Sequence, residues 1–185
     1  MKKSLLLKSA FVLALATPLL ASAESDLTVG TGNATARLDF SVIIPRVLFL
    51  GVGTGAGTLT DNATIDALTF DYTASGGTVG NNTASAAQGV TVRVVGNNGQ
   101  VSIGAAGSGT GLVSGTDTIP WTQIVSSSSD ATNFNVPAVG GSASPVLSTG
   151  RVTNRSATWN YSYANASVVG SGTYTGRITY TASMP

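Results

Sequence analysis

Residues 172–185 read GTYTGRITYTASMP, and their alternation decides the fold class. Tyr174, Ile178, Tyr180, Ala182 and Met184 fall on one face of an extended chain, while Thr173, Thr175, Arg177, Thr179 and Thr181 fall on the other. A period of two is that of a β-strand with one buried and one solvated face. The same period recurs upstream. Val90, Val92 and Val94 alternate with Thr91 and Arg93, and Ala157, Trp159 and Tyr161 sit two apart within residues 151–163. Leu38, Phe40, Val42 and Ile44 alternate with Asp39, Ser41 and Ile43, which predicts a half-buried strand in residues 37–50. Pro45 cannot donate to a ladder, so that strand ends, bulges or runs along an edge there.

Shorter segments lie between these. Val47, Leu48, Phe49 and Leu50 form a continuous apolar run, and Thr64, Ile65, Leu68, Phe70 and Tyr72 mark one or two strands in residues 59–72. Val101 and Ile103 follow the turn Gly96-Asn97-Asn98-Gly99, so residues 90–103 are expected to form a β-hairpin. Ile119, Trp121 and Ile124 are expected to point inward, and Phe134 and Val136 to form a short strand ended by Pro137. The Gly- and Ser-rich segments 51–57, 75–87, 104–111, 126–129 and 140–145 read as loops or turns. About eight short strands, with neither helical periodicity nor an internal repeat, predict an all-β protein. The expected architecture is an antiparallel immunoglobulin-like β-sandwich, with a jelly roll as the alternative.

The chain has 185 residues, no Cys, no His and only 9% charged residues, where about 25% is usual. Without Cys or His there is no disulfide, no zinc centre on those ligands and no Ser-His-Asp or Cys-His nucleophile. Residues 1–23 read as a secretory signal peptide. Lys2 and Lys3 precede an apolar stretch, and Ala21-Ser22-Ala23 is a small-x-small cleavage site. The mature chain is then residues 24–185, divided into a flexible N-terminal arm at 24–36 and a single β domain at 37–185. Lys2, Lys3 and Lys8 are the only lysines, so the mature chain keeps six Arg against eight acids, a net charge of −2. So weak a charge offers no footprint for nucleic acid and no polybasic stretch for anionic lipid. No membrane span is expected in the mature chain.

Candidate chemistry is sparse. Asp61, Asp66 and Asp71 lie five apart around Asn62, a set of oxygens that calcium could use, but the spacing fits no EF-hand and solvated loop positions explain it better. Paired carboxylates for glycoside hydrolysis are hard to assemble, because Glu24 is the only Glu and stands at the mature N-terminus. The Gly-rich segments lack the Lys-Ser/Thr ending of a phosphate loop. Trp121, Trp159, Tyr161 and Tyr163 could stack on sugar rings, yet core packing is the commoner role of such residues in strands. No catalytic residue, metal site or cofactor is assigned, and the chain is not expected to be an enzyme.

A Gly fourteen residues from the end, followed by the alternating strand of residues 172–184, resembles the C-terminal assembly strand of chaperone–usher pilins. The whole plan is similar to that of archaic chaperone–usher fimbrial and spore-coat-U-like subunits, which are small, secreted, Gly/Thr-rich β domains. The resemblance implies a structural protein of the bacterial envelope, a fimbrial or pilus-type subunit serving cell adhesion. Such subunits assemble by β-strand addition, in which an extended segment of the next subunit fills a groove. On this resemblance Tyr174, Ile178, Tyr180 and Met184 form the assembly or chaperone-contact face, and Leu27 and Val29 in the arm are the candidate donor residues. The implied partners are further copies of the chain and a periplasmic chaperone, and the implied place is the periplasm, the cell surface or an extracellular fimbrium. Two features depart from the family pattern. The chain lacks the usual Cys pair, and it has Met184 where an aromatic is usual. Both suit a relative that folds completely on its own, and the alternative is a stand-alone carbohydrate- or cell-wall-binding module. The mature chain also lacks lysine, the commonest guard of a strand edge, which leaves Arg177 and the prolines in that role.

Overall fold

The structure is a computed structural model that describes residues 24–72 and 79–185. The signal-peptide reading at residues 1–23 and part of the loop read at 75–87 lie outside the described residues. The chain divides into two units, Met1–Ile44 and Pro45–Pro185.

In the first unit, residues 24–44 contain no strand and every side chain is exposed. A local loop is closed by Asp26, which accepts from the Thr35 N–H at 3.3 Å, and by Thr28 Oγ1, which donates to the Asn33 carbonyl at 3.2 Å. Gly30 turns this loop at a φ of 109°, a conformation open to glycine. Beyond it Leu38, Phe40, Val42 and Ile44 lie in chain without regular secondary structure, all exposed.

The second unit is all-β, with antiparallel pairing throughout and one short 3-10 turn at Trp121–Gln123 among the described residues. Its strands are β1 (Leu48–Val52), β2 (Gln88–Gly96), β3 (Ser102–Gly107), β4 (Gly111–Ser114), β5 (Asp117–Pro120), β6 (Ile124–Ser128), β7 (Ser142–Ala143), β8 (Thr153–Tyr163) and β9 (Ile178–Ser183). One sheet has the order β1-β2-β8-β6 and another β7-β3-β9, while β4 and β5 form a hairpin of their own. An isolated bridge from Val113 to Thr175 joins that hairpin to the chain leading into β9. Both larger sheets turn apolar residues into one core. Val92 and Val94 of β2, Ala157, Trp159 and Tyr161 of β8, Ile103 of β3 and the loop residues Phe134 and Val136 are buried together. Trp159 is fully buried, with Phe134 edge-on at 5.3 Å and Tyr180 tilted at 5.2 Å between ring centroids. Two buried rings and one half-buried ring thus pack together in a domain that has no Cys to cross-link it.

Several expectations change. Residues 90–103 are not a hairpin: β2 pairs with β1 and β8, whereas β3 pairs with β7 and β9. Both strands carry an inward apolar row, and the turn at residues 97–100 carries the chain from one sheet to the other so that the rows face a common core. The strand read in residues 37–50 exists only from Leu48. Alternation shows which side chains suit burial, but a strand also needs a ladder partner, and residues 38–44 have none among the described residues. Residues 59–72 form no strand either, although Leu68 and Phe70 pack on the core. Of the segments read as loops, Gly51 lies in β1, Gly104 and Gly107 lie in β3, and residues 126–128 lie in β6. Glycine suits β3 because the Trp121 ring occupies the space a side chain at Gly107 would need.

Candidate functional site

The site is built around β9, an edge strand. Hydrogen bonds on β3 settle which way its backbone points. Ala105 donates its N–H to the Gly141 carbonyl at 3.0 Å and accepts from the Gly140 N–H at 2.8 Å, so it turns toward β7. Its neighbours Gly104 and Ala106 turn toward β9, opposite Thr181 and Thr179. Successive strand residues alternate sides. The N–H and C=O groups of Ile178, Tyr180 and Ala182 therefore point away from β3, and no partner meets them among the described residues.

Ile178, half-buried, lines the cleft beside Trp121, and Tyr180 and Ala182 turn half-buried side chains onto the core. Tyr180 reaches across it, its hydroxyl 2.8 Å from that of Tyr161. Burial raises the Tyr161 pKa above the usual tyrosine range, and the hydrogen bond with Tyr180 adds to it. The Tyr180 pKa is raised by burial, with the hydrogen bond opposing. Strand β1 is the edge of the other sheet and comes close to β9 without hydrogen bonding to it. At this end Arg46 donates to the Met184 carbonyl at 2.6 Å, and Asn97 holds the Val47 N–H at 2.8 Å. Arg177 stands at the start of β9, exposed and without an ion pair among the described residues. No Lys or Pro interrupts β9, so the usual devices against edge pairing are missing.

Upstream of β9 the edge continues. Thr175 exchanges both backbone bonds with Val113, at 2.9 and 3.1 Å, and the Ser108 N–H donates to the Arg177 carbonyl at 2.8 Å. The Trp121 indole lies over Gly107 and Gly176 and donates its N–H to the Gly109 carbonyl at 3.2 Å. It also walls a cleft of about 200 Å³ with Ile124, Val136, Tyr161, Ile178 and Tyr180, and no charged residue lines it.

Of the residues expected from sequence, Ile178 and Tyr180 lie on β9, and Met184 packs on the core just beyond it. Tyr174 is upstream of β9, half-buried, and donates its hydroxyl to the Gly170 carbonyl at 2.8 Å. Leu27 and Val29 sit in the local loop of the first unit, exposed. Leu38, Phe40, Val42 and Ile44, whose alternation predicts a half-buried strand, are exposed instead.

Trp159 is core, whereas Trp121 is half-buried. Asp66 accepts from the Thr54 N–H at 2.7 Å and hydroxyl at 2.8 Å, which ties down the loop after β1. Among the described residues no three His, Cys, Asp or Glu side chains come together as metal ligands would, and no helix is long and apolar enough to cross a membrane. No protein-family model matches the chain, and no curated protein matches it.

Proposed function

We propose that the protein is a non-enzymatic structural subunit of the bacterial envelope, exported by residues 1–23, whose copies join by β-strand addition. The observation that carries this is the pairing of two unsatisfied features in one chain. Ile178, Tyr180 and Ala182 present an unpaired backbone edge, and Leu38, Phe40, Val42 and Ile44 present an exposed alternating apolar row without a ladder partner among the described residues. Each supplies what the other lacks: main-chain bonds on one side, and apolar side chains for a half-buried face on the other. The strand order supports an immunoglobulin-like plan. β1-β2-β8-β6 follows the A-B-E-D sheet, and β3-β9 follows C-F with no strand paired on the far side of β9 among the described residues. The weak charge and the absence of Lys in residues 24–185 suit a surface that pairs rather than repels. The cell surface or a fimbrium is the proposed location, with a chaperone holding the edge before assembly.

Sedimentation of the chain from residue 24 onward tests this. Oligomers are expected, and they are expected to vanish when Leu38, Phe40, Val42 and Ile44 are all replaced by Ser. A monomer at high concentration, unchanged by the replacement, overturns the reading.

A second reading, a carbohydrate-binding module, draws on the uncharged, aromatic cleft at Trp121. Quenching or a shift of Trp121 fluorescence by neutral sugars, lost in Trp121→Ala, would favour it.

A further inference from the structure

Granted strand addition, on which this inference rests, we propose that an ion pair between Asp39 of one copy and Arg177 of the next sets its register. Residues 33–43 of the first copy then lie antiparallel on residues 173–183 of the second.

Charge points to this alignment. Arg177 is the only charged residue in 172–185, and Asp39 is the only one in 38–45. Both are exposed, and neither makes an ion pair among the described residues. With Leu38, Phe40, Val42 and Ile44 turned to the core, Asp39 falls on the solvent face, as Arg177 does just before β9. Slipping by one residue would drive Asp39 and Ser41 inward, a cost no edge contact offsets.

Side-chain size points the same way. Placing Asp39 opposite Arg177 sets Leu38 opposite Ile178 and Ala36 opposite Tyr180. Phe40 then stands opposite Gly176, which has no side chain of its own, and meets the edge of the Trp121 ring that lies over that glycine. A large ring against glycine and a small side chain against tyrosine fill the strip evenly. A two-residue slip sets Leu38 against Tyr180 and leaves Arg177 facing Ser41.

The partner is a second copy because of the tether. Arg46 reaches the Met184 carbonyl through its side chain, so the length of that side chain and two further residues lets a chain's own residue 44 stray at most about 17 Å from that end of β9. The antiparallel alignment needs residue 44 beyond the opposite end of the strand, roughly 35 Å away.

Arg177 and Thr175 turn their backbone groups away from the free edge, so an incoming strand meets them as non-hydrogen-bonded pairs. Cα atoms in such pairs stand about 4.5 Å apart, which suits a disulfide. The chain has no Cys, so introduced pairs are read without background. Mixing a Ser41→Cys copy with a Thr175→Cys copy is expected to give a cross-linked dimer, and mixing it with a Thr179→Cys copy is not. In parallel, Asp39→Arg or Arg177→Asp alone is expected to weaken association about fivefold, with the double reversal restoring it. All these positions are exposed, so each variant is expected to fold, which circular dichroism checks. Cross-linking of 41 to 179 rather than 175, or reversals without effect on a chain that still associates, overturns the register and leaves strand addition standing. Failure of the unaltered chain to associate overturns both.

Discussion

Replacing Phe40 by Ala separates folding from assembly. Phe40 is 84% exposed and belongs to the unit that ends at Ile44, outside the Trp159 core. Its loss should leave domain stability within about 0.5 kcal/mol, as for other exposed sites. Association is a different matter, because there the ring passes from water to an apolar strip. Burying a side chain of this size contributes about 1.5–3 kcal/mol. That corresponds to a dissociation constant raised by roughly 10- to 150-fold. Urea unfolding followed by Trp fluorescence reports the first quantity, since Trp159 is in the core. Sedimentation equilibrium over a dilution series reports the second. A fall in stability above about 1 kcal/mol would mean that Phe40 serves the domain's own core. Unchanged association would remove residues 38–44 as the inserted strand.

Trp159→Ala should destabilise the domain by about 3–5 kcal/mol, because a fully buried ring between Phe134 and Tyr180 is removed; urea unfolding measures it. Tyr161→Phe leaves the Tyr180 hydroxyl without its partner and should cost about 1–2 kcal/mol, while the double Tyr161→Phe, Tyr180→Phe variant should cost less, as thermal unfolding would show. The raised pKa values of Tyr161 and Tyr180 make the folded chain hold protons that the unfolded chain releases. Stability should thus be flat with respect to these groups below the ordinary tyrosine value and fall as pH rises past about 10; the double variant should show a shallower fall in urea titrations. Gly176→Val should displace the Trp121 ring, shifting its fluorescence and lowering stability by about 1–3 kcal/mol.

The period-two pattern carried the strands whose ladder partners lie in the same domain. Val92 and Val94 on β2, and Ala157, Trp159 and Tyr161 on β8, were placed correctly because each strand is paired on both sides. Pairing itself was hidden. Asn97 and Gly99 signal a turn but not which sheet the next strand joins, so the hairpin between β2 and β3 was misjudged. Glycine in β3 resembled loop composition, since only the distant Trp121 explains it. The candidate site was legible in part. Ile178 and Tyr180 stood out by alternation. Leu38 to Ile44 stood out equally, but a sequence does not say whether the surface such a strand covers is its own or a neighbour's.

Residue-resolved hydrogen exchange at Ile178, Tyr180 and Ala182 tests the central claim most directly. In the dispersed chain, with Leu38, Phe40, Val42 and Ile44 replaced by Ser, these amides should exchange freely, because they point away from β3. In the assembled chain they should be protected as strongly as those of Thr179 and Thr181. Equal exchange of Ile178, Tyr180 and Ala182 in both states, with assembly verified, would contradict the account.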